Sequence, residues 1–404
     1  MSYERFGIVV VGGGIAADHL SLELRRIGFG SSIAVVCGES MPPYDRPALS
    51  KAFLEMDVSS AELALRTAQF YQANGIDLFL GDSVSQLEPG IGEVMAKCAS
   101  GRSVVAKRIV LATGSAARPL TGVPGGSNAL RLQTVEDAAR IRRSSSSAKS
   151  MLVIGGGFIG LELAAQSLSR GVEKVVVLEA APRLLARSVS SATATHVAAL
   201  HRADGVDVRV GTRVRSIQSA DFGSGWVVAL DDGSAVAADV VVAGVGSDPE
   251  VSLAESAGIR CDHGVVVDAR CLTSQPEIYA IGDCAAVPVC AYTPHARDGV
   301  SLVRLESVSA AKAHAVVVAK NLVGRPEELW HLPTFWSKQG PHTLQIAGLR
   351  DGYDSVEERA SSVRPGGRAY VFYVEGVPVS VEAVDAPLEY GGALREIRAA
   401  RATI

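Results

Sequence analysis

Two glycine-rich loops of one design, 143 positions apart at Gly12 and Gly155, limit this 404-residue chain to few folds. The first, Gly12-Gly13-Gly14-Ile15-Ala16-Ala17, follows the apolar run Ile8-Val9-Val10-Val11. The second, Gly155-Gly156-Gly157-Phe158-Ile159-Gly160, follows Met151-Leu152-Val153-Ile154. Each reads as a buried strand, a tight turn and the start of a helix. Glycine in such a turn lets the backbone approach a pyrophosphate, which rests on the free N–H groups and positive dipole of the helix N-terminus. Two such loops, each with its own acid downstream, imply two dinucleotides held together and a hydride passed between them.

Each acid lies near the end of a second strand. Glu39 follows Ile33-Ala34-Val35-Val36, and Glu179 closes Val175-Val176-Val177-Leu178, 19 positions after Gly160. A carboxylate there accepts from a ribose diol and repels a 2′-phosphate, so Glu179 favours NADH over NADPH, although Arg183 and Arg187 are close enough to weaken the preference. A Pro-rich loop, Met41 to Lys51, carries Arg46 and Lys51, basic groups suited to clamping a ligand. The run Glu277-Ile278-Tyr279-Ala280-Ile281-Gly282-Asp283 reads as a strand ending on an acid that faces the ligand crevice and suits a flavin's ribityl hydroxyls. Arg142-Arg143 with Ser144 to Ser147 reads as a flexible surface segment. The last 75 or so residues change to short alternating strands such as Tyr370 to Val374.

The expected fold is therefore α/β, with two Rossmann-like dinucleotide-binding domains and a small α+β C-terminal domain. Residues 1–110 and 242–325 are expected to form the domain of the first loop, 111–241 that of the second and 326–404 the C-terminal domain. A net charge of −4 does not suggest nucleic acid or a membrane surface, and no stretch reaches the roughly 18 apolar residues that span a bilayer. The first strand begins by residue 7, which leaves no room for a signal peptide and points to the cytoplasm. The six cysteines, Cys37, Cys98, Cys261, Cys271, Cys284 and Cys290, contain no C-x-x-C or C-x-x-x-x-C pair. That argues against a cluster, a structural zinc or a redox-active dithiol, and no metal site is expected.

With those residues assembled, the chain resembles the FAD-dependent pyridine nucleotide oxidoreductases of the glutathione reductase superfamily. It is most similar to the NADH–ferredoxin reductases that serve ring-hydroxylating dioxygenases and cytochrome P-450 systems. The resemblance rests on the first Gly loop, Pro43 to Lys51, Ala112-Thr113-Gly114-Ser115, Ile154 to Glu162 and Tyr279 to Asp283. Arg304-Leu305-Glu306-Ser307-Val308 and Phe335-Trp336-Ser337-Lys338-Gln339 complete it. It implies that Gly12, Gly14 and Ala17 cradle the FAD pyrophosphate, with Glu39 at the adenosine ribose and Asp283 at the ribityl chain. The domain of the first loop is then the FAD-binding domain and that of the second the NAD-binding domain. Arg46 and Lys51 hold the flavin side, Gly155, Gly157 and Gly160 hold the NADH pyrophosphate, and Glu179 holds its ribose. Val84, Ala112, Thr113, Gly114, Phe158, Ile159, Gly246 and Val308 complete the cofactor-binding set. Lys51, Glu162 and Trp336 form the catalytic set, Lys51 paired with Glu162 near the isoalloxazine and Trp336 stacked to shield it.

The chain departs from the family pattern at Thr334, Lys338, Val308, Ser309, Ala310, His314 and Glu250, toward the flavin edge and the partner face. His314, where Gln is common, reads as a surface helix residue. The resemblance implies NADH reducing FAD, which passes electrons to a separate 2Fe–2S ferredoxin, or a rubredoxin-like protein, that feeds an oxygenase. Because ferredoxins are usually acidic, Lys338 and Arg304 are candidates for a basic patch near Trp336. The chain would be a monomer or homodimer. Alternatives on the same scaffold are a rubredoxin reductase or an NADH oxidase; a different class is an apoptosis-inducing-factor-like flavoprotein that senses NADH.

Overall fold

A computed structural model describes residues 3–55, 59–220, 225–293 and 301–402. The first sheet is built on β1 (Glu4–Val11), β2 (Ile33–Cys37), β3 (Ile76–Leu80), β4 (Val84–Pro89), β5 (Val94–Cys98) and β6 (Ser103–Leu111). Their order is β3-β2-β1-β6-β5-β4, parallel from β3 to β6 and antiparallel beyond. The first half of β6 pairs with β5, while its second half takes Ile278–Ala280 as a parallel seventh strand. Side chains alternate across the sheet. Ile8, Val10, Ile33 and Val35 pack on helix α1 (Ile15–Arg26), and Val9, Val11, Ala34 and Val36 fill the opposite face.

After β6 the chain enters a second unit through helix α2 (Val135–Ser145). The Arg142 to Ser147 run, expected as a flexible surface segment, lies largely at the surface but begins as helix. It forms the last turn and exit of a helix that starts on a Thr134–Asp137 capping box, and Arg142 lies over the Phe53 ring at 4.5 Å. The second sheet has β7 (Ser150–Ile154), β8 (Lys174–Glu179), β9 (Asp207–Val210) and β10 (Val240–Ala243), in the order β9-β8-β7-β10, all parallel. Helices α3 (Phe158–Ser169) and α4 (Ser191–Ala203) contribute Leu161, Ala164 and Val197 to the core on one face. A three-stranded antiparallel sheet, Val214–Ser219 with Trp226–Leu230 and Ala235–Ala238, covers the other. Because β10 runs to Ala243, the chain leaves this sheet after Ala243, and a boundary after residue 241 would cut the strand. The outgoing and returning segments pair with each other, Ser115–Ala117 against Ser247–Pro249.

Helix α5 (Val308–Leu322) returns to the first sheet, where Ala311, Ala315 and Val318 join the α1 face. The C-terminal unit is antiparallel: β11 (Thr334–Gln339), β12 (His342–Gly348), β13 (Ser355–Ala360), β14 (Arg368–Val374) and β15 (Val377–Val384), ordered β11-β12-β15-β14-β13. Helix α6 (Pro387–Arg401) closes it with Ala393 and Ile397. No helix among the described residues is long and apolar enough to cross a membrane.

The C-terminal unit is fastened to the second by a buried carboxylate. Glu382 on β15 is fully buried and accepts from the Ser190 backbone N–H at 2.9 Å, the Ser190 hydroxyl at 2.8 Å and Arg350 at 3.2 Å. Ser190 is the N-cap of α4, so the positive end of that helix adds to the attraction. Removing one partner of a buried pair strands the other, at about 3–5 kcal/mol. Glu382→Ala should therefore lower stability by an amount of that order in denaturant unfolding, and a change below about 1 kcal/mol would refute the role given to this contact.

Candidate functional site

The two loops do the same work with their glycines. Gly12 and Gly155 have φ of +117° and +110°, and a Cβ on either would lie 2.1 Å from the Ala112 carbonyl oxygen or 2.3 Å from that of Gly244. These first glycines exist for the turn and for close passage of the neighbouring strand exit. Gly14 and Gly157 differ: each is the N-cap of a helix of 12 residues, each lacks a side-chain cap bond, and a Cβ on either meets nothing within 4 Å. An uncapped helix N-terminus under open space is the ground a pyrophosphate needs, so both loops fit a dinucleotide. At the third position, a Cβ on Gly160 would strike the Gly155 carbonyl oxygen at 2.1 Å, whereas the fully buried Ala17 is accommodated in the first loop.

Around the first loop lie Glu39, Arg46, Ala112, Thr113, Gly114 and Asp283. Arg46 forms an ion pair with Glu39, and Tyr44 donates to the same carboxylate at 2.7 Å. Arg46 also reaches the Gln133 carbonyl at 3.0 Å. The two residues read separately from the sequence are thus one clamp that leaves carboxylate lone pairs available to a ribose. Val84 opens β4 and packs on the apolar core of the first sheet, and the Thr113 hydroxyl donates to the Glu250 carbonyl at 2.7 Å.

Asp283 lies three residues beyond the Ile278–Ala280 strand, in a single tight turn, Gly282–Cys284. Burial, with Glu306 adding to it, pushes its carboxyl up to about 6, against the pull of Arg304 and Arg46. The turn is shaped by His314, which is 1% exposed and not a surface residue. Its Nδ1 accepts from the Gly282 N–H at 3.1 Å, and its Nε2 meets the Tyr292 hydroxyl. An Nδ1 that accepts carries no proton, and burial holds the ring's pKa down at about 3, so His314 is a neutral brace. Its spacing from Ala310, Ala311 and Val318 puts it on the buried stripe of α5, a signal present in the sequence. Arg304 pairs with Glu306 at 2.5 Å and donates to the Asp283 carbonyl at 3.2 Å.

Around the second loop, Glu179 accepts from the backbone N–H groups of Gly156 and Ala181, both at 2.7 Å, which aims its carboxylate across the loop. Arg183 spends its guanidinium on the Val189 and Ala186 carbonyls, at 2.9 and 2.7 Å. Gly246, φ +106°, sits beside the exposed Arg187. Ile159 is exposed, and the Phe158 ring leans on Phe335 with centroids 4.4 Å apart.

Between the loops stands a buried ion pair. Lys51 Nζ donates to Glu162 Oε2 at 2.6 Å, and the two side chains are 13% and 5% exposed. Glu162 also accepts from Ser50 and, at Oε1, from Ser337 at 2.6 Å. Lys51 lies 5.1 Å from the centroid of the Trp336 ring, itself half exposed, in a cation–π contact. The three residues come from the first unit, α3 and β11. Val308 begins α5, whose N-cap Ser307 accepts from the Ala310 N–H at 3.0 Å. The roles of Ser50 and Ser337 were not read from the sequence, although each adjoins a residue that was.

The chain is similar to known proteins along nearly its whole length. A family model described as pyridine nucleotide-disulphide oxidoreductase matches residues 6–315, and one described as reductase C-terminal matches 334–404. Putidaredoxin reductase of Pseudomonas putida is 36% identical over 389 residues, 95% of this chain and 89% of that protein. The ferredoxin reductase for the CYP199A2 system from Rhodopseudomonas palustris has TM-score 0.88 and 34% identity, covering 96% of this chain and 93% of its own. The reductase in a covalent putidaredoxin reductase–putidaredoxin complex has TM-score 0.88 and 32% identity, covering 98% and 93%. The chain belongs to the pyridine nucleotide-disulphide oxidoreductase family.

Proposed function

We propose that this chain is an FAD-dependent NADH:ferredoxin oxidoreductase of the cytoplasm that passes electrons to a separate 2Fe–2S protein feeding an oxygenase. The observation that carries this reading is the Lys51–Glu162 pair, set under Trp336 between two uncapped helix N-termini. FAD, when bound, supplies the chemistry of taking two electrons together from a nicotinamide and releasing them singly.

The chain's own residues bind, orient and tune. The Gly12–Gly14 loop and the Arg46–Glu39 clamp hold FAD, with Asp283 at its ribityl hydroxyls. The Gly155–Gly157 loop and Glu179 hold NADH. Lys51 keeps a positive charge at the edge where negative charge develops, and Glu162 fixes where that charge sits. Trp336 shields the edge from water. The buried Cys37 thiol is pushed up to about 12 by desolvation, so it offers no thiolate beside the first loop. With no paired cysteines in the sequence, an external acceptor takes the electrons. Lys338 is exposed on the same outward face of β11 as Trp336 and suits an acidic acceptor.

Anaerobic stopped-flow mixing tests the reading. NADH should bleach the flavin quickly, oxidised 2Fe–2S ferredoxin should restore its colour quickly, and air should do so slowly. A long-lived charge-transfer complex that ferredoxin does not discharge would favour the signalling alternative, and fast reoxidation in air an oxidase. Glu179→Ala should cut the preference for NADH over NADPH by roughly tenfold to a hundredfold in kcat/KM, the value of a hydrogen bond to a charged group. An unchanged ratio would remove Glu179 from the ribose.

Asp283 gives FAD binding a pH dependence whose sign is fixed. Its folded pKa of about 6 stands above the ordinary 3.8, so charging it in the FAD-free fold costs stability as pH rises through that window. Ribityl hydroxyls donate to the charged form, so FAD should bind more tightly as pH rises from 5 to 7, by at most about tenfold per unit. Flavin fluorescence would measure this, and Asp283→Asn should flatten the curve. A wild-type curve already flat would mean that the ribityl chain does not engage the carboxylate.

A further inference from the structure

Behind the Lys51–Glu162 pair runs a line of polar side chains with no part in binding either nucleotide. Strand β11 alternates, Trp336 and Lys338 outward, Ser337 and Gln339 inward and almost fully buried. Ser337 reaches Glu162 Oε1 at 2.6 Å, Gln339 Nε2 reaches Ser337 Oγ at 3.2 Å, and Gln339 Oε1 meets His201 Nε2 at 2.8 Å. His201 is 2% exposed and stands on the buried stripe of α4 with Ala194, Val197 and Ala198.

The direction of every bond follows from one charge. An ionised carboxylate only accepts, so the Ser337 hydroxyl must donate to Glu162. Its single proton spent, Ser337 can only accept from Gln339, which turns the amide NH2 toward Ser337 and the amide oxygen toward His201. That oxygen needs a donor, so the proton of His201 sits on Nε2 and Nδ1 is bare. Nδ1 is the one ring atom here with no partner in the structure and no exposure, as this assignment requires of a buried nitrogen that cannot afford a proton. Burial also lowers the basicity of the ring. Bonds that all point one way polarise one another, and the chain ends on the oxygen opposite the one that holds Lys51.

We propose that His201 and Gln339 are positioning residues that act through Ser337 on Glu162, fixing where the Lys51 ammonium stands. The proposal rests on the reading above that Lys51 faces the flavin. It gives α4, a helix of the nucleotide-side unit, and β11, a strand of the C-terminal unit, joint control over a charge in the first unit.

The test uses the FAD-loaded protein and four variants: His201→Gln, which can place an N–H where Nε2 was, His201→Leu, Gln339→Leu and the control Lys51→Met. Nitrogen-15 spectra of the His201 ring should show a protonated Nε2 and a bare Nδ1 at neutral pH; the opposite tautomer would overturn the chain of donors. Lys51→Met should shift the flavin midpoint potential to more negative values, because it removes a cation from beside a group that gains negative charge on reduction. His201→Leu and Gln339→Leu should shift it the same way by less, with His201→Gln close to the unmodified protein. The limiting rate of flavin bleaching should fall about tenfold in His201→Leu with half-saturation by NADH unchanged, the cost of a displacement well under 1 Å. If Lys51→Met moves the potential and neither leucine variant does, the positioning proposal is wrong while the functional reading stands. If His201→Gln falls with His201→Leu, the ring matters for packing and not for its donor. If Lys51→Met itself leaves the potential unmoved, Lys51 does not face the flavin and both readings fail together.

Discussion

The arrangement depends on one carboxylate. Glu162 sits on the first turns of the helix that follows the second Gly loop, yet its partners come from elsewhere: Lys51 and Ser50 from the Pro-rich segment of the first unit, Ser337 from the C-terminal sheet. A buried ion pair by itself adds little, since desolvating two charges offsets their attraction. Further hydrogen bonds change the balance by occupying the carboxylate's remaining lone pairs, and here they require three units of the chain to dock in one geometry. Charge placement and docking are the same event. The shared apolar core says so too, for it joins Tyr44 and Phe53 of the first unit, Val177 and Leu184 of the second, and Leu344 and Val384 of the third.

The duplicated loops show how two kinds of glycine serve one design. Gly12 and Gly155 are held by sterics internal to the protein, since any Cβ would collide with the carbonyl of the adjacent strand exit. Gly14 and Gly157 are bare of such contacts, so space in the protein does not explain them; room for a ligand does. The distinction matters because the first kind belongs to any sheet with this crossover, while the second points outward to what is bound.

Much of this was legible in the sequence, for physical reasons that differ by residue. The Gly loops, the strands before them and the acids Glu39 and Glu179 are local signals, fixed within about 25 residues by turn geometry and alternating burial. The pairing of Lys51 with Glu162, 111 positions apart, came only from family resemblance, because no local pattern encodes it. His314 was misread because its polarity outweighed its place on an apolar stripe. The serine run after Arg142 was misread because low complexity outweighed a capping box only ten residues upstream. Ser337, Gln339 and His201 were invisible as a group, since their connection exists only once strand and helix meet.

Strand β11 carries the remaining argument. Its period of two puts Trp336 and Lys338 on one face and Ser337 and Gln339 on the other, so one strand shows solvent an aromatic and a cation while it braces Glu162 from within. A protein docked against the outer face would press on the strand whose inner face holds Ser337 against Glu162. Displacement along the strand is resisted by its register with β12, in which Trp336 faces Gln345 and Ser337 faces Leu344. Such a strand can meet a partner without losing the alignment behind it. The departures from the family pattern at Thr334 and Lys338 fall on the outer register of this strand, alternating with the inward Ser337 and Gln339.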